Sequence, residues 1–207
     1  MAQGLFITFE GIDGSGKSSQ ARLLADHLKT VGHDCLLTRE PGGSEGAEEI
    51  RRLLVEGDPD RWSAETEILL FTAARRDHLE KTIEPALVAG KTVVSDRFAD
   101  STRVYQGAAR ADLRGVVDQL HSLMIGREPD LTFIINMDPE TALARGLARQ
   151  SGEDRFEDLG LGFQQKLRAG FLALAQDFPA RCHVIDGARD MDMIAAEITA
   201  IATKALS

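Results

Sequence analysis

At 207 residues with 43% hydrophobic side chains, the chain is sized for one α/β domain with a substantial core rather than two. Its net charge of -9 speaks against a general nucleic-acid binder, which is usually basic, although a local Arg and Lys cluster can still hold phosphate in an acidic protein. Two distant cysteines, Cys35 and Cys182, speak against a disulfide framework or thiolate metal site, and neither the opening Met-Ala-Gln-Gly nor any apolar run suggests export or a membrane span, so a cytoplasmic protein without a membrane partner is expected.

Leu5 to Glu10 is a short apolar run ending in a Gly-rich turn, which predicts the first strand. From Lys17, residues Ala21, Leu24, Ala25, Leu28 and Val31 recur at helical spacing until Gly32 stops the helix. Asp34 to Thr38 predicts the second strand; a loop from Arg39 to Gly43 and a short helix to about Glu56 follow. Ser63 to Ala89 reads as one helical stretch bent near Pro85. Thr92 to Ser95 predicts the third strand, and helix fills Ser101 to Ile125 with Gly115 as its weak point. Leu131 to Asn136 predicts the fourth strand, after which Asp138 and Pro139 suit the N-cap and first turn of a helix. A polar segment over 146–162 interrupts the pattern. A helix from Phe163 to about Gln176, a fifth strand at Cys182 to Ile185 and a C-terminal helix complete the chain. Apolar strands alternating with helices predict a five-stranded parallel sheet covered on both faces, a three-layer α/β/α arrangement.

Gly11-Ile12-Asp13-Gly14-Ser15-Gly16-Lys17-Ser18 fits G-x-x-x-x-G-K-[ST] between a predicted strand and helix, the context a P-loop requires. Its N–H groups would converge on phosphate oxygens at the helix start; Lys17 would add a charge near the β and γ phosphates, and Ser18 could hold Mg²⁺. The bland alternative is a Gly-rich turn. Ligands of an open parallel sheet bind beyond the carboxyl ends of its strands. Arg39 follows the second strand and Asp96-Arg97 the third, so both should meet the P-loop on one rim. Asp96 suits a Mg²⁺ carboxylate, the competing role being a helix cap. Arg39 and Arg97 suit a second phosphate, the competing role being surface ion pairs. None of the five histidines falls in a usable motif.

The run from Phe9 through Ser19 to Gln20 resembles the opening of thymidylate kinases. So do Thr38-Arg39-Glu40-Pro41-Gly42-Gly43, Phe71-Thr72-Ala73-Ala74-Arg75, and Asp96-Arg97-Phe98 with Ser101-Thr102 and Tyr105-Gln106. These blocks cover most of the first half in family order. The resemblance implies a P-loop NTPase fold with a short lid over 146–162, and Mg²⁺-dependent transfer from ATP to dTMP by a cytoplasmic homodimer. It implies Phe71 under the thymine ring, Arg75 at a base carbonyl, Thr102 near a ring nitrogen, and Tyr105 beside the sugar where a 2′-hydroxyl would be crowded. Asp13 is implied at the 3′-hydroxyl, Arg97 at both phosphate chains, and Arg39 and Arg51 at the monophosphate; Pro41, Ser101 and Gln106 complete the acceptor set. Core packing is the bland reading of Phe71.

Some thymidylate kinases carry an Arg inside the P-loop where this chain has Gly14; the family alternative places catalytic arginines in the lid. Arg145, Arg149 and Arg155 follow Pro139, and charge stabilisation is assigned to Arg149 and Arg155, against the alternative of a solvated basic helix end. Arg189, after the fifth strand, is assigned to adenine. The rival expectations are another small-molecule P-loop kinase and a nucleotide switch, although the fourth strand ends Asn136-Met137-Asp138 rather than in an N-K-x-D motif.

Overall fold

The computed structural model describes residues 4–57, 61–110, 112–147 and 160–206. Five strands, β1 (Phe6–Glu10), β2 (Cys35–Arg39), β3 (Thr92–Asp96), β4 (Leu131–Asn136) and β5 (Cys182–Asp186), form one parallel sheet in the order β2-β3-β1-β4-β5. Burial follows strand position in the sheet. β1 is buried along its whole length, and β3 and β4 along all but their last residue, whereas the edge strands β2 and β5 alternate. Alternation along β1 sends Ile7 and Phe9 to one face and Phe6 to the other.

Helices α1 (Lys17–Thr30) and α9 (Met191–Leu206) cover the Phe9 face, where Leu24 and Ile198 pack with Phe133. The opposite face carries α2 (Glu45–Val55), α3 (Ala64–His78), α4 (Glu84–Val88), α5 (Ala99–Val104), α6 (Arg114–Met124) and α8 (Gly160–Asp177), while α7 (Pro139–Leu147) follows β4. Fully buried Phe6, Phe98, Phe133 and Phe171 each contribute roughly 1.5–3 kcal/mol of burial.

The expected long helix over Ser63 to Ala89 is interrupted by a π-turn at Leu79–Ile83, just before Pro85. Proline has no N–H for the preceding turn and its ring crowds that turn's carbonyl, and the helix widens there. Two boundaries differ from the sequence expectation. The break in the second long helical region lies before Arg114, not at Gly115, which sits in the first turn of α6 facing open space. Helix α8 begins at Gly160 rather than Phe163; its buried stripe Gln164, Leu167, Phe171 and Leu174 outweighs the poor propensity of Gly160 and Gly162. Asp138 caps α7 as expected, its Oδ2 accepting from the Thr141 N–H at 2.9 Å.

Candidate active site

The P-loop follows β1, and the segment after β3 lies directly beside it because those strands pair, Phe9 opposite Asp96. The Arg97 N–H donates to the Phe9 carbonyl at 2.9 Å, and the Glu40 N–H to the Asp96 carbonyl at 2.9 Å, joining the ends of β1, β2 and β3. A cavity of about 370 Å³ opens on this rim. At one end it is lined by Asp13, Gly14, Lys17 and Ser18; Asp96 and Arg97 follow. Arg39, Pro41 and Arg51 form one wall. Phe71, Arg75, Thr102, Tyr105 and Gln106 form the far end, with Ser101 between. The cavity brings together residues as far apart in the sequence as Asp13 and Gln106.

The cations at the rim are organised by Asp13. Lys17 Nζ lies 3.1 Å and Arg97 Nη2 2.5 Å from Asp13 Oδ1, while the Tyr105 hydroxyl donates to Oδ2 at 3.0 Å. Arg97 also donates to the Gly11 carbonyl at 3.2 Å and Ser101 Oγ at 2.9 Å, and its guanidinium lies 5.0 Å from the Tyr105 ring centre. Burial works to raise the Asp13 carboxyl, but Arg97 and then Lys17 hold it well below the usual carboxylate range. Burial pushes the Tyr105 phenol well above its ordinary value, so it remains a donor. Arg97 is the one non-glycine among the described residues with positive φ, at 73°, a strained conformation that aims its side chain across the P-loop.

Glu10, to which the sequence reading gave no role, supplies the cap of α5. Its Oε1 accepts from the Phe98 N–H at 2.8 Å and the Ser101 N–H at 3.3 Å, and Ser101 Oγ donates to Oε2 at 2.6 Å. Capping therefore falls to Glu10 and not to Asp96, whose Oδ1 is buried with no hydrogen-bond partner among the described residues. Burial and then Asp100 push the Glu10 carboxyl up to about 7, against the pull of Arg97. A value raised from 4.5 means that Glu10 favours the fold fully below pH 4.5 and loses that contribution as pH rises through 7. Thermal melting should accordingly weaken between about pH 5 and about pH 8, and Glu10→Gln, a neutral isostere, should remove that dependence. A Gln variant that weakens as steeply as the parent would reject the assignment.

Phe71 is half-buried and faces the cavity, which speaks against plain core packing. Arg39 combines both of its anticipated readings: it borders the cavity, and it pairs with Glu48 at 3.0 Å while half-exposed. Arg51 donates to the Pro41 carbonyl. Buried Gln106 donates to Glu67 at 3.2 Å. Gly11, Ile12, Ser15, Gly16 and Ser19 do not line the cavity; Ile12 offers its carbonyl to Lys17 Nζ at 3.4 Å, and Ser15 Oγ is buried with no partner among the described residues. Arg189 also lies off the cavity, donating to the Asp186 carbonyl at 3.3 Å and pairing with Glu197. Arg149, Arg155 and most of the expected lid lie outside the described residues.

The residues fit a Mg²⁺ ion. The orphaned Asp96 Oδ1 and the exposed Ser18 border the same cavity, a hard-oxygen pair of the kind that leaves most Mg²⁺ positions to phosphate and water.

The thymidylate kinase family model matches residues 9–198. Thymidylate kinase of Ruegeria pomeroyi is 71% identical over 198 residues, 96% of this chain and 94% of that protein. The Caulobacter vibrioides enzyme of that name is 50% identical over 207 residues, 100% of this chain and 99% of its own. The crystal structure of thymidylate kinase from Ehrlichia chaffeensis is similar with a TM-score of 0.79 at 37% identity, covering 97% of this chain and 99% of that one. Agreement over nearly the whole length of both sequence and structure means that the chain belongs to the thymidylate kinase family and has its P-loop NTPase fold.

Proposed function

We propose that the chain catalyses in-line transfer of the γ-phosphoryl group of ATP to dTMP, giving ADP and dTDP for dTTP synthesis. One observation carries this reading: a single cavity has the P-loop Lys17 and the neighbouring Arg97 at one end and a half-buried aromatic with an arginine at the other. Two anionic substrates need charge neutralisation and alignment more than they need a protein nucleophile. Lys17 neutralises the moving phosphoryl, and Arg97 aligns the two phosphate chains. Arg39 and Arg51 hold the monophosphate beside Pro41. Phe71 stacks on the base, with Arg75, Thr102 and Gln106 at its edge; Tyr105 and Ser101 flank the sugar, whose 3′-hydroxyl meets Asp13. Ser18 and Asp96 would hold Mg²⁺, which when bound offsets phosphate charge. The P-loop from Gly11 to Ser19 wraps the donor phosphates, and Arg189 faces the adenine side.

The chain acts as one domain whose lid, over 146–162, excludes water and brings Arg149 and Arg155 to the reacting group. A homodimer through α3 and α6 is supported by Leu69, Val116 and Leu123, which are exposed on these neighbouring helices, Leu123 at 80%. Among the described residues no helix is long and apolar enough to cross a membrane. The acidic net charge favours small-molecule ligands over nucleic acid, and the proposed place of work is the cytoplasm.

The test is an acceptor panel: purified protein with Mg·ATP and each of dTMP, dUMP, dCMP, dGMP and thymidine. ADP release should be fastest with dTMP. Preference for another acceptor would favour a different P-loop kinase, and ATP binding without transfer to any acceptor would favour a switch.

A further inference from the structure

Arg75 is 4% exposed, yet only part of its donor set is satisfied inside the protein. Nε donates to Glu40 Oε2 at 2.7 Å, and Nη2 to the Phe98 carbonyl and Thr102 Oγ1, both at 3.1 Å. Among the described residues Nη1 has no hydrogen-bond partner, and Arg75 lines the cavity beside Phe71. The five donors of a guanidinium lie in one plane, so fixing Nε and Nη2 fixes the direction of Nη1.

Glu40 is itself held from behind. Its Oε1 lies 3.1 Å from His78 Nδ1, and His78 Nε2 lies 2.8 Å from Thr38 Oγ1. His78 is 0% exposed, and both glutamate and histidine lie outside every role assigned above. A carboxylate only accepts, so Nδ1 carries the hydrogen toward Glu40, while Nε2 and the Thr38 hydroxyl share the next hydrogen bond. Gly43 leaves the ring its space: a Cβ there would stand 2.3 Å from His78 Nε2. The result is one continuous hydrogen-bonded chain, Thr38 to His78 to Glu40 to Arg75, running from the end of β2 to the base end of the cavity.

We propose that Glu40, locked by His78, is a positioning residue for base selection, setting Arg75 so that its unpaired N–H groups meet a ring carbonyl oxygen and oppose an exocyclic amino group. The inference rests on the acceptor reading above. A guanidinium has no acceptor, so cytosine in place of thymine sets donor against donor and leaves buried polar groups unpaired. Losing Glu40 leaves Arg75 anchored through Nη2 alone and able to turn about it, which blunts the discrimination while leaving the phosphate end of the cavity alone.

The experiment measures kcat and KM for dTMP and dCMP at saturating Mg·ATP in the parent, Glu40→Gln, Arg75→Met, the double variant and Thr38→Val. A glutamine at position 40 offers one oxygen to two donors, so its amide N–H opposes either Arg75 Nε–H or His78 Nδ1–H. The dTMP-to-dCMP ratio of kcat/KM is expected to fall about tenfold or more in Glu40→Gln, mainly through KM for dTMP, with KM for ATP unchanged. In the Arg75→Met background Glu40→Gln should lower the ratio no further. Thr38→Val removes only the distant hydroxyl and keeps the test open if Glu40→Gln does not fold; it should lower the ratio about twofold to fivefold. Equal losses for both bases, or a further fall of the ratio in the Arg75→Met background, would overturn the proposal. A parent protein with no preference for dTMP over dCMP would overturn the acceptor reading itself, and this inference with it.

Discussion

Arg97→Ala is expected to lower kcat by about 10³-fold to 10⁵-fold, the range over which a cation on the transferring phosphoryl acts. Arg97 is the hub of the rim: it reaches Asp13, the Gly11 carbonyl, Ser101 and the Tyr105 hydroxyl at once. Losing it removes both the charge and the link that holds α5 against the P-loop. The fold should survive, because the core on either side of the sheet does not include this side chain. Arg97→Gly separates catalysis from strain. It should lose as much activity as Arg97→Ala but melt higher, since glycine relieves a backbone at φ 73° by about 1 kcal/mol or more. Steady-state kinetics with thermal melting reads both, and an alanine variant within tenfold of parental turnover would remove Arg97 from the chemistry.

Gly14→Ala is expected to disable the protein by a different route. An added Cβ would stand 1.9 Å from the Ala142 carbonyl oxygen, on backbone that already has φ +79°. A backbone carbonyl cannot swing aside as a flexible side chain can, so either the P-loop or α7 must move. Strain and overpacking together should cost about 2–4 kcal/mol, with KM for ATP raised at least tenfold. Denaturant midpoints and ATP kinetics check this; a variant matching the parent in both would show that the contact is slack. The same contact bears on the charge-stabilising arginines. A P-loop Arg at position 14 would have to pass the Ala142 carbonyl, which disfavours that position as the source of the charge proposed for Arg149 and Arg155.

The parts of the site visible in the sequence are those that backbone geometry enforces. Glycine spacing announced the P-loop, and parallel topology required Arg39, Asp96 and Arg97 to reach one rim. Central and edge positions are not legible from apolar continuity, because buried β1 carries Thr8 and Glu10 while the edge strand β2 holds the unbroken run Cys35-Leu36-Leu37. Contacts made by single side chains across long sequence separations leave no periodic trace. Glu10 caps a helix 88 residues away, and as the last residue of an apolar strand it looked like a strand end. Glu40 stood inside a motif whose arginine and glycines drew the interest, and His78, 38 residues on, belonged to no motif. The start of α8 was misplaced for a related reason: two glycines lowered local propensity, while the packing that overrides it is tertiary.

Asp13 gives the cleft a built-in counterion. With its carboxylate between Lys17 and Arg97, the two cations neither repel each other apart nor stand open to every passing anion. Sulfate or inorganic phosphate must compete with a group already seated there and has nothing to offer Asp13 in exchange. A nucleotide brings a hydroxyl for the displaced carboxylate together with an anionic end for the freed cations. Affinity for simple oxyanions should therefore stay weak, and millimolar buffer phosphate should inhibit little.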